Sequence, residues 1–325
     1  MTADRLWPDL ATLTCSAAPD PVVRDDGTPV RLLVVALTNP AGDLLDTAVF
    51  ADLDALGRRL AAGAAIDGAP VGGVVVTGPR PGVFAPHFRL GEIADGAEAL
   101  GRPVPYALAR AAYVGVRALS RSDAVRTRML ASPAAGIAEL VRTHEALTRL
   151  GSLPMVVVAA IDGDALAGGC ELALACDLRV MAEGDGRIGL VEVTAAIPPG
   201  AGGTQRLVRA VGAARARAMA LRATVLDARD AREAGLVDEV CAPGDTLAVA
   251  LRVAAEVARR DPAAVAAVKR AMQGGAAFRA GLATEGAGFV SVASGTAAIA
   301  RLRAFAAASD ERGTTTPWRD RTWLA

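Results

Sequence analysis

Three short apolar runs constrain this chain more than any other feature. RLLVVAL (Arg31–Leu37), VGGVVVTG (Val71–Gly78) and MVVVAAIDG (Met155–Gly163) are rich in β-branched residues and bounded by turn formers, as strands are. Asn39-Pro40 stops the first, Gly78 turns the second, and Pro154 precedes the third. Between the first two, Phe50, Leu53, Leu56 and Leu60 recur at helical spacing. A further helix is expected from about Gly168, with a new strand near Leu178–Met181. Strands alternating with helices predict an α/β architecture. FAPHFRL (Phe84–Leu90) carries Pro86 in its middle and reads as a loop leading to a helix.

The rest of the chain divides less sharply. Residues 1–29 are rich in Pro, Asp and Thr, lack clear periodicity, and read as an extension tied down by Trp7. Residues 91–136 begin with a Gly/Pro-broken stretch and continue into helical sequence; Ser132–Gly136 then separates them from a helix over Ile137–Leu150. From Ala213 the pattern is mainly helical, with Pro243 and Pro262 as breakers, and is expected to form a helical appendage rather than more sheet. The chain turns charged and polar after Ala308. The predicted organisation is an extension (1–29), an α/β core (30–212) with an atypical insertion (91–136), a helical region (213–308) and a tail (309–325).

Composition removes several function classes. Lys plus Arg and Asp plus Glu each total 35, so the net charge of zero argues against a nucleic-acid binder. An apolar fraction of 52% excludes a disordered chain, and 3% aromatics leaves the core to Ala, Val, Leu and Ile. Two histidines and four cysteines without a CxxC pair supply little for a zinc site, so no metal is expected. Cys170 and Cys176 stand six apart on the expected helix and do not face each other well, which favours a reducing compartment. The first residues lack a basic segment followed by an apolar one, and the apolar run Leu153–Ile161 is too short for a bilayer. A cytoplasmic protein without a membrane span is therefore expected. Trp7, Trp318 and Trp323 lie near the chain ends and are expected to report on the extensions rather than the core.

Two segments suggest chemistry. In ALAGGCELAL (Ala165–Leu174), glycines open a helix whose first-turn N–H groups can bind an oxygen that gathers charge, with Glu171 beside them. The same residues equally suit a packing turn with a helix-terminal acid. In GLVEVTAAIPPGAGGTQRL (Gly189–Leu207), Glu192 precedes an uncharged loop able to wrap a substrate, and an apolar wall there raises a carboxyl pKa. An incidental acid on a surface loop would read the same way. PGAGG lacks the lysine of a phosphate loop, and the GGC segment lacks the dinucleotide glycine register, so nucleotide hydrolysis and NAD chemistry lose support.

Taken together, TNP at Thr38, VVVTGPRPGVF, LPMVVVAAIDGDALAGGCELALACD, IPPGAGGTQRLVRAVG and DAREAGLVDEV resemble the enoyl-CoA hydratase/isomerase, or crotonase, superfamily over roughly residues 30–300. The resemblance implies a spiral of ββα units followed by a C-terminal helical region for trimerisation, assembled as a homotrimer or a dimer of trimers. It implies an oxyanion hole made by the N–H groups of Gly168 and Phe88. In the family's F-S-A-G-A-D-L loop, His87 stands in place of the glycine and Arg89 in place of the frequent aspartate. Glu171 and Glu192 match the two hydratase glutamates, which points to water addition on a 2-enoyl-CoA giving 3-hydroxyacyl-CoA. The competing readings are another crotonase-type reaction (isomerase, lyase or decarboxylase) on an unusual acyl group, or a catalytically weak acyl-CoA-binding protein. His87, Arg89, Gly169, Pro199, Gly200 and Lys269 are the candidate substrate contacts, with Arg80 a weaker phosphate candidate. No cofactor is required, since coenzyme A enters as part of the substrate. His144 reads as a solvated or satisfied helical residue, and Phe278 and Phe289 as packing residues of the C-terminal helices.

Overall fold

The architecture was taken from a computed structural model that describes residues 6–309, except 121, 133 and 274, together with Trp318. The chain opens with β1 (Leu13–Ala17), β2 (Val22–Val23) and β3 (Pro29–Leu37). After α1 (Thr47–Ala61) come β4 (Ala65–Ile66) and β5 (Ala69–Thr77). Four helices precede the next strand: α2 (Leu90–Glu98), α3 (Tyr106–Leu119), α4 (Asp123–Leu130) and α5 (Ala135–Gly151). Next are β6 (Val156–Ile161), β7 (Ala165–Leu166), α6 (Gly168–Ala175), β8 (Leu178–Ala182) and β9 (Ile188–Gly189). A 3₁₀ turn at Glu192–Ala195 leads to α7 (Gly203–Val211), α8 (Ala213–Leu221), α9 (Ala228–Glu233) and β10 (Glu239–Cys241). The chain continues with α10 (Thr246–Ala258), α11 (Pro262–Met272), α12 (Gly275–Ala293) and α13 (Thr296–Ala307).

The main sheet runs β1-β3-β5-β6-β8-β10. β1 is antiparallel to β3, and every later neighbour along that path pairs parallel. Its strands read as continuous apolar runs because both faces are covered. Val74, Val76, Val157 and Ala159 enter the core shared with α1 and α6, while Val75, Val156, Val158 and Ala160 meet α10 on the other face. α1 follows from its sequence: Phe50, Leu53, Leu56 and Leu60 are all buried, and the Asp46 carboxylate caps the helix by accepting from the Val49 N–H at 2.9 Å. A second, fragmentary layer of parallel bridges joins Leu45 to Phe88, Ala85 to Ala165, and β7 to β9. That layer brings the 84–89 loop against the start of α6.

Two expectations change here. Residues 1–29 are more than an extension: β1 zips along β3 from Leu13↔Leu37 to Ala17↔Leu33 and forms an edge of the sheet. The region from Ala213 is more than a helical appendage, since β10 extends the sheet beside β8 and α10 covers one sheet face. A three-residue strand is too short to show a period of two, and α10 borrows its stability from the sheet. The four cysteines carry free thiols. Among the described residues, no helix is long and apolar enough to cross a membrane, and no cluster of three His, Cys, Asp or Glu side chains is placed to hold a metal. The 309–325 tail lies outside the described residues apart from Ser309 and Trp318.

Candidate active site

A cavity of about 280 Å³ opens where α6 begins, lined mostly by apolar side chains. Gly168, Phe88, Glu171, Glu192 and Gly200 all border it. The expected core of the site is therefore assembled in one place from four separate stretches of chain.

The two backbone donors owe their placement to local geometry. In the bridge to Leu45, the Leu45 N–H donates to the His87 carbonyl at 3.0 Å and the Arg89 N–H to the Leu45 carbonyl at 2.7 Å. Alternation along an extended segment turns the Phe88 N–H to the opposite side. The Phe88 carbonyl accepts from His87 Nδ1 at 2.8 Å, which assigns the proton of that ring nitrogen. Gly168 is the first residue of α6, where an N–H has no intrahelical acceptor. Its predecessor Ala167 has φ +47° and ψ −118°, a conformation costly for alanine. A methyl built on Gly168 would lie 3.5 Å from the Phe88 nitrogen, so the two residues adjoin at the cavity.

The two glutamates occupy contrasting surroundings. Glu171, on the first turn of α6, is buried, and its Oε1 accepts from the Ala201 and Gly203 N–H groups at 2.7 and 2.8 Å. Burial pushes its carboxyl well above the usual range, and the charges of Glu192 and Glu285 add to this, while the two N–H bonds oppose it. Glu192, which opens the 3₁₀ turn, is also buried, yet among the described residues neither of its carboxyl oxygens has a hydrogen-bond partner. Burial raises its pKa to about 8. A buried carboxyl without partners is expensive, and a native protein retains one where a ligand or chemistry uses it.

The expected substrate contacts separate into groups. Gly200 lines the cavity because only a glycine admits Phe289, whose ring lies 2.5 Å from where a Cβ would stand; Pro199 is buried behind it. Gly169 serves packing instead, since a Cβ there would meet the Ala85 carbonyl oxygen at 1.8 Å. His87 is buried under the loop it braces. Arg89 is drawn away from the cavity, donating to the Ala41 carbonyl at 3.0 Å. Lys269 is likewise committed to the fold: its Nζ lies 2.6 Å from the Met155 carbonyl and 2.5 Å from Asp177 Oδ2, pinning α11 to the start of β6. Arg80 pairs with Asp43 at the surface, and Phe278 sits beneath the guanidinium groups of Arg206 and Arg209.

Several residues of the site were not legible in the sequence. Trp318, expected to report on an extension, lines the cavity. Its ring stands edge-on to His87 at 5.0 Å and its Nε1 donates to Thr194 Oγ1 at 2.6 Å, bracing the Glu192 turn. The 91–136 insertion supplies cavity wall through α2, with Ile93 and Ala97 facing inward. Glu285 on α12 accepts from the Gly202 N–H at 2.5 Å and the Thr204 N–H at 3.0 Å. It is the one acid on that long, mostly apolar helix, a signal that a buried partner was needed.

Comparison with known proteins fits this geometry. The enoyl-CoA hydratase/isomerase family profile matches residues 132–288, which contain α6, Glu192, the 201–204 loop and Glu285, while Phe88 and α2–α4 lie before it. The chain is 45% identical over 139 residues to 2,3-dehydroadipyl-CoA hydratase of Escherichia coli K12, covering 42% of this chain and 54% of that protein. It is 44% identical over 121 residues to a short-chain-enoyl-CoA hydratase of Clostridioides difficile, covering 37% of this chain and 77% of that protein. The chain spans about half the length of several of the curated relatives it matches. A solved enoyl-CoA hydratase from Bacillus anthracis superposes with a TM-score of 0.59 at 26% identity, over 88% of this chain and 92% of that one. With the family profile spanning the helix and loop that carry the buried glutamates, a hydratase 44% identical and covered over 77% of its length, and the spiral fold shared across most of the chain, this protein belongs to the enoyl-CoA hydratase/isomerase, or crotonase, superfamily.

Proposed function

We propose that the protein adds water across the double bond of a 2-enoyl-CoA thioester to give a 3-hydroxyacyl-CoA. The observation that carries this reading is the pair of buried carboxyls, Glu171 and Glu192, on one largely apolar cavity beside the Gly168 and Phe88 N–H groups. Water addition at the third carbon of the enoyl group throws charge onto the thioester oxygen. Two N–H donors flanking that oxygen stabilise it, and losing one such donor costs roughly 100- to 1000-fold in turnover. Two neighbouring carboxyls in a dry cavity resist double ionisation and hold one charge between them. The amide bonds to Glu171 favour the charge there, suited to drawing a proton from water. Glu192, whose carboxyl oxygens have no hydrogen-bond partner among the described residues and whose pKa burial raises to about 8, keeps the proton and delivers it to the second carbon. The named hydratases among the relatives support the same reaction class. Assembly as a homotrimer or a dimer of trimers belongs to this reading.

Incubating the protein with trans-2-enoyl-CoAs of graded chain length tests the proposal. Loss of the conjugated-thioester absorbance and a product heavier by one water are expected. Products of unchanged or reduced mass would replace hydration with another crotonase-type reaction. Occupancy of the cavity is expected to change the emission of Trp318. A titration with a saturated acyl-CoA should therefore give a fluorescence response that Trp318→Phe abolishes. An equal response in the variant would remove Trp318 from the ligand's surroundings.

A further inference from the structure

The loop ahead of α7 presents four successive backbone N–H groups to two buried carboxylates in alternation. Ala201 and Gly203 donate to Glu171, and Gly202 and Thr204 donate to Glu285. The Thr204 hydroxyl also donates to Glu285. Arg206 Nη1 ties the same loop from behind by donating to the Ala201 carbonyl at 2.8 Å. Holding one set of N–H groups restricts the other, because rigid peptide planes are joined at shared Cα atoms and leave only φ and ψ to vary.

Glu285 is itself held by a chain of buried side chains. His144 Nε2 lies 3.2 Å from Glu285 Oε1, and the Tyr113 hydroxyl lies 2.6 Å from His144 Nδ1. A carboxylate only accepts, so the His144 Nε2–H donates to Glu285, and the Tyr113 hydroxyl shares its hydrogen bond with Nδ1 on the other side of the ring. Burial pushes the Tyr113 phenol up, which keeps it a donor. Gly286 makes room for this chain, since a Cβ there would meet Tyr113 Cε2 at 2.5 Å. Tyr113 comes from the insertion, His144 from α5 and Glu285 from α12, so three helices far apart in sequence meet behind the loop.

We infer that Tyr113, His144 and Glu285 form a positioning relay that sets the 201–204 loop and through it aims the Glu171 carboxylate at the reacting water. The inference rests on the hydratase reading for what Glu171 does, but not for how Glu171 is held. The relay also carries charge. Glu285 raises the pKa of both Glu171 and Glu192. The titratable and charged groups around Glu285 are Glu171 from α6, Glu192 from the 3₁₀ turn, Arg206 from α7, Tyr113 from α3 and His144 from α5.

The test compares Glu285→Gln, His144→Gln and Tyr113→Phe with the unmodified protein. Glutamine keeps the shape of Glu285 but offers one acceptor oxygen where two are needed. Amide hydrogen exchange at Ala201 and Gly203, which donate to Glu171, is expected to speed up at least tenfold in Glu285→Gln, with a smaller change in Tyr113→Phe. Turnover should fall about 10- to 100-fold at nearly constant KM, as misplacement of a reacting group predicts. The ionisations governing kcat/KM should move to lower pH in Glu285→Gln, because a neighbouring negative charge is removed. If thermal stability falls while exchange at Ala201 and Gly203 and the pH profile stay unchanged, the relay is a structural prop and the inference is overturned. Should Glu285→Gln fail to fold, the same readouts on His144→Gln and Tyr113→Phe decide the matter, an unchanged exchange pattern in both being the negative result. Were the unmodified protein to lack hydratase turnover, the proposed function would fail while the exchange measurement still judged the relay.

Discussion

Glu192→Gln is expected to lower turnover by about 100- to 10,000-fold with little change in KM, the range for loss of a positioned acid–base group. The substitution nearly preserves volume and replaces the ionisable carboxyl with an amide that neither takes up nor delivers a proton at these pH values. The same change is expected to stabilise the fold at alkaline pH. The folded-state pKa of Glu192 is raised from 4.5 to about 8 by burial, so between those values the native protein binds more protons than the unfolded chain. Its contribution to stability is thus fully present below about pH 4.5 and lost as the pH rises through about 8. Glutamine stays neutral throughout. The stability gap between variant and unmodified protein should open across that window and level off above it, reaching a few kcal/mol at roughly 1.4 kcal/mol per pH unit. Denaturant melts at pH 5 and pH 9 read the gap directly, and retained turnover, or a gap that does not widen with pH, would remove Glu192 from its assigned role.

Adjacent glycines should respond oppositely to alanine. In Gly169→Ala the new methyl would stand 1.8 Å from the Ala85 carbonyl oxygen and 2.9 Å from its carbon. Neither backbone can retreat, because the Ala85 N–H is bonded to the Asp164 carbonyl at 3.2 Å and Gly169 is built into α6. A loss above about 4 kcal/mol is expected, seen as insoluble protein or a collapsed melting temperature. In Gly168→Ala the nearest atom is the Phe88 Cβ at 3.2 Å, a contact that yields by a few tenths of an ångström. That variant should fold, yet turnover should fall roughly 100- to 1000-fold, as when an oxyanion donor is lost, because its methyl enters the space between the two N–H groups. Normal turnover in Gly168→Ala would place the thioester oxygen elsewhere.

The legible and illegible parts of the molecule differ in physical kind. β3, β5 and β6 were readable because burial on both faces makes each a short continuous apolar run, and α1 because burial on one face gives it a helical period, with Phe50, Leu53, Leu56 and Leu60 all in the core as their spacing required. Gly168, Glu171 and Glu192 stood out because glycines open a helix and acids flank apolar sequence. β10 escaped because its three residues gain their order from β8. Lys269, a candidate contact by resemblance, is instead taken by Asp177, a partner 92 positions away that no local pattern announces. Trp318 misled because nearness to the chain end says nothing of what a side chain packs against.

By itself the sequence determined the apolar strand runs, the helix period of α1, the turn at Gly168, the scarcity of Cys and His for a zinc site and the missing lysine of a phosphate loop. Only the tertiary structure decided which acids share a cavity and which donors hold them. Glu285 reaches Gly202 across 83 positions and His144 across 141. Contacts of that span leave no local period, since they arise from how helices stack on a finished sheet, and such packing is what gives Glu171 two backbone amides while Glu192 has no hydrogen-bond partner among the described residues.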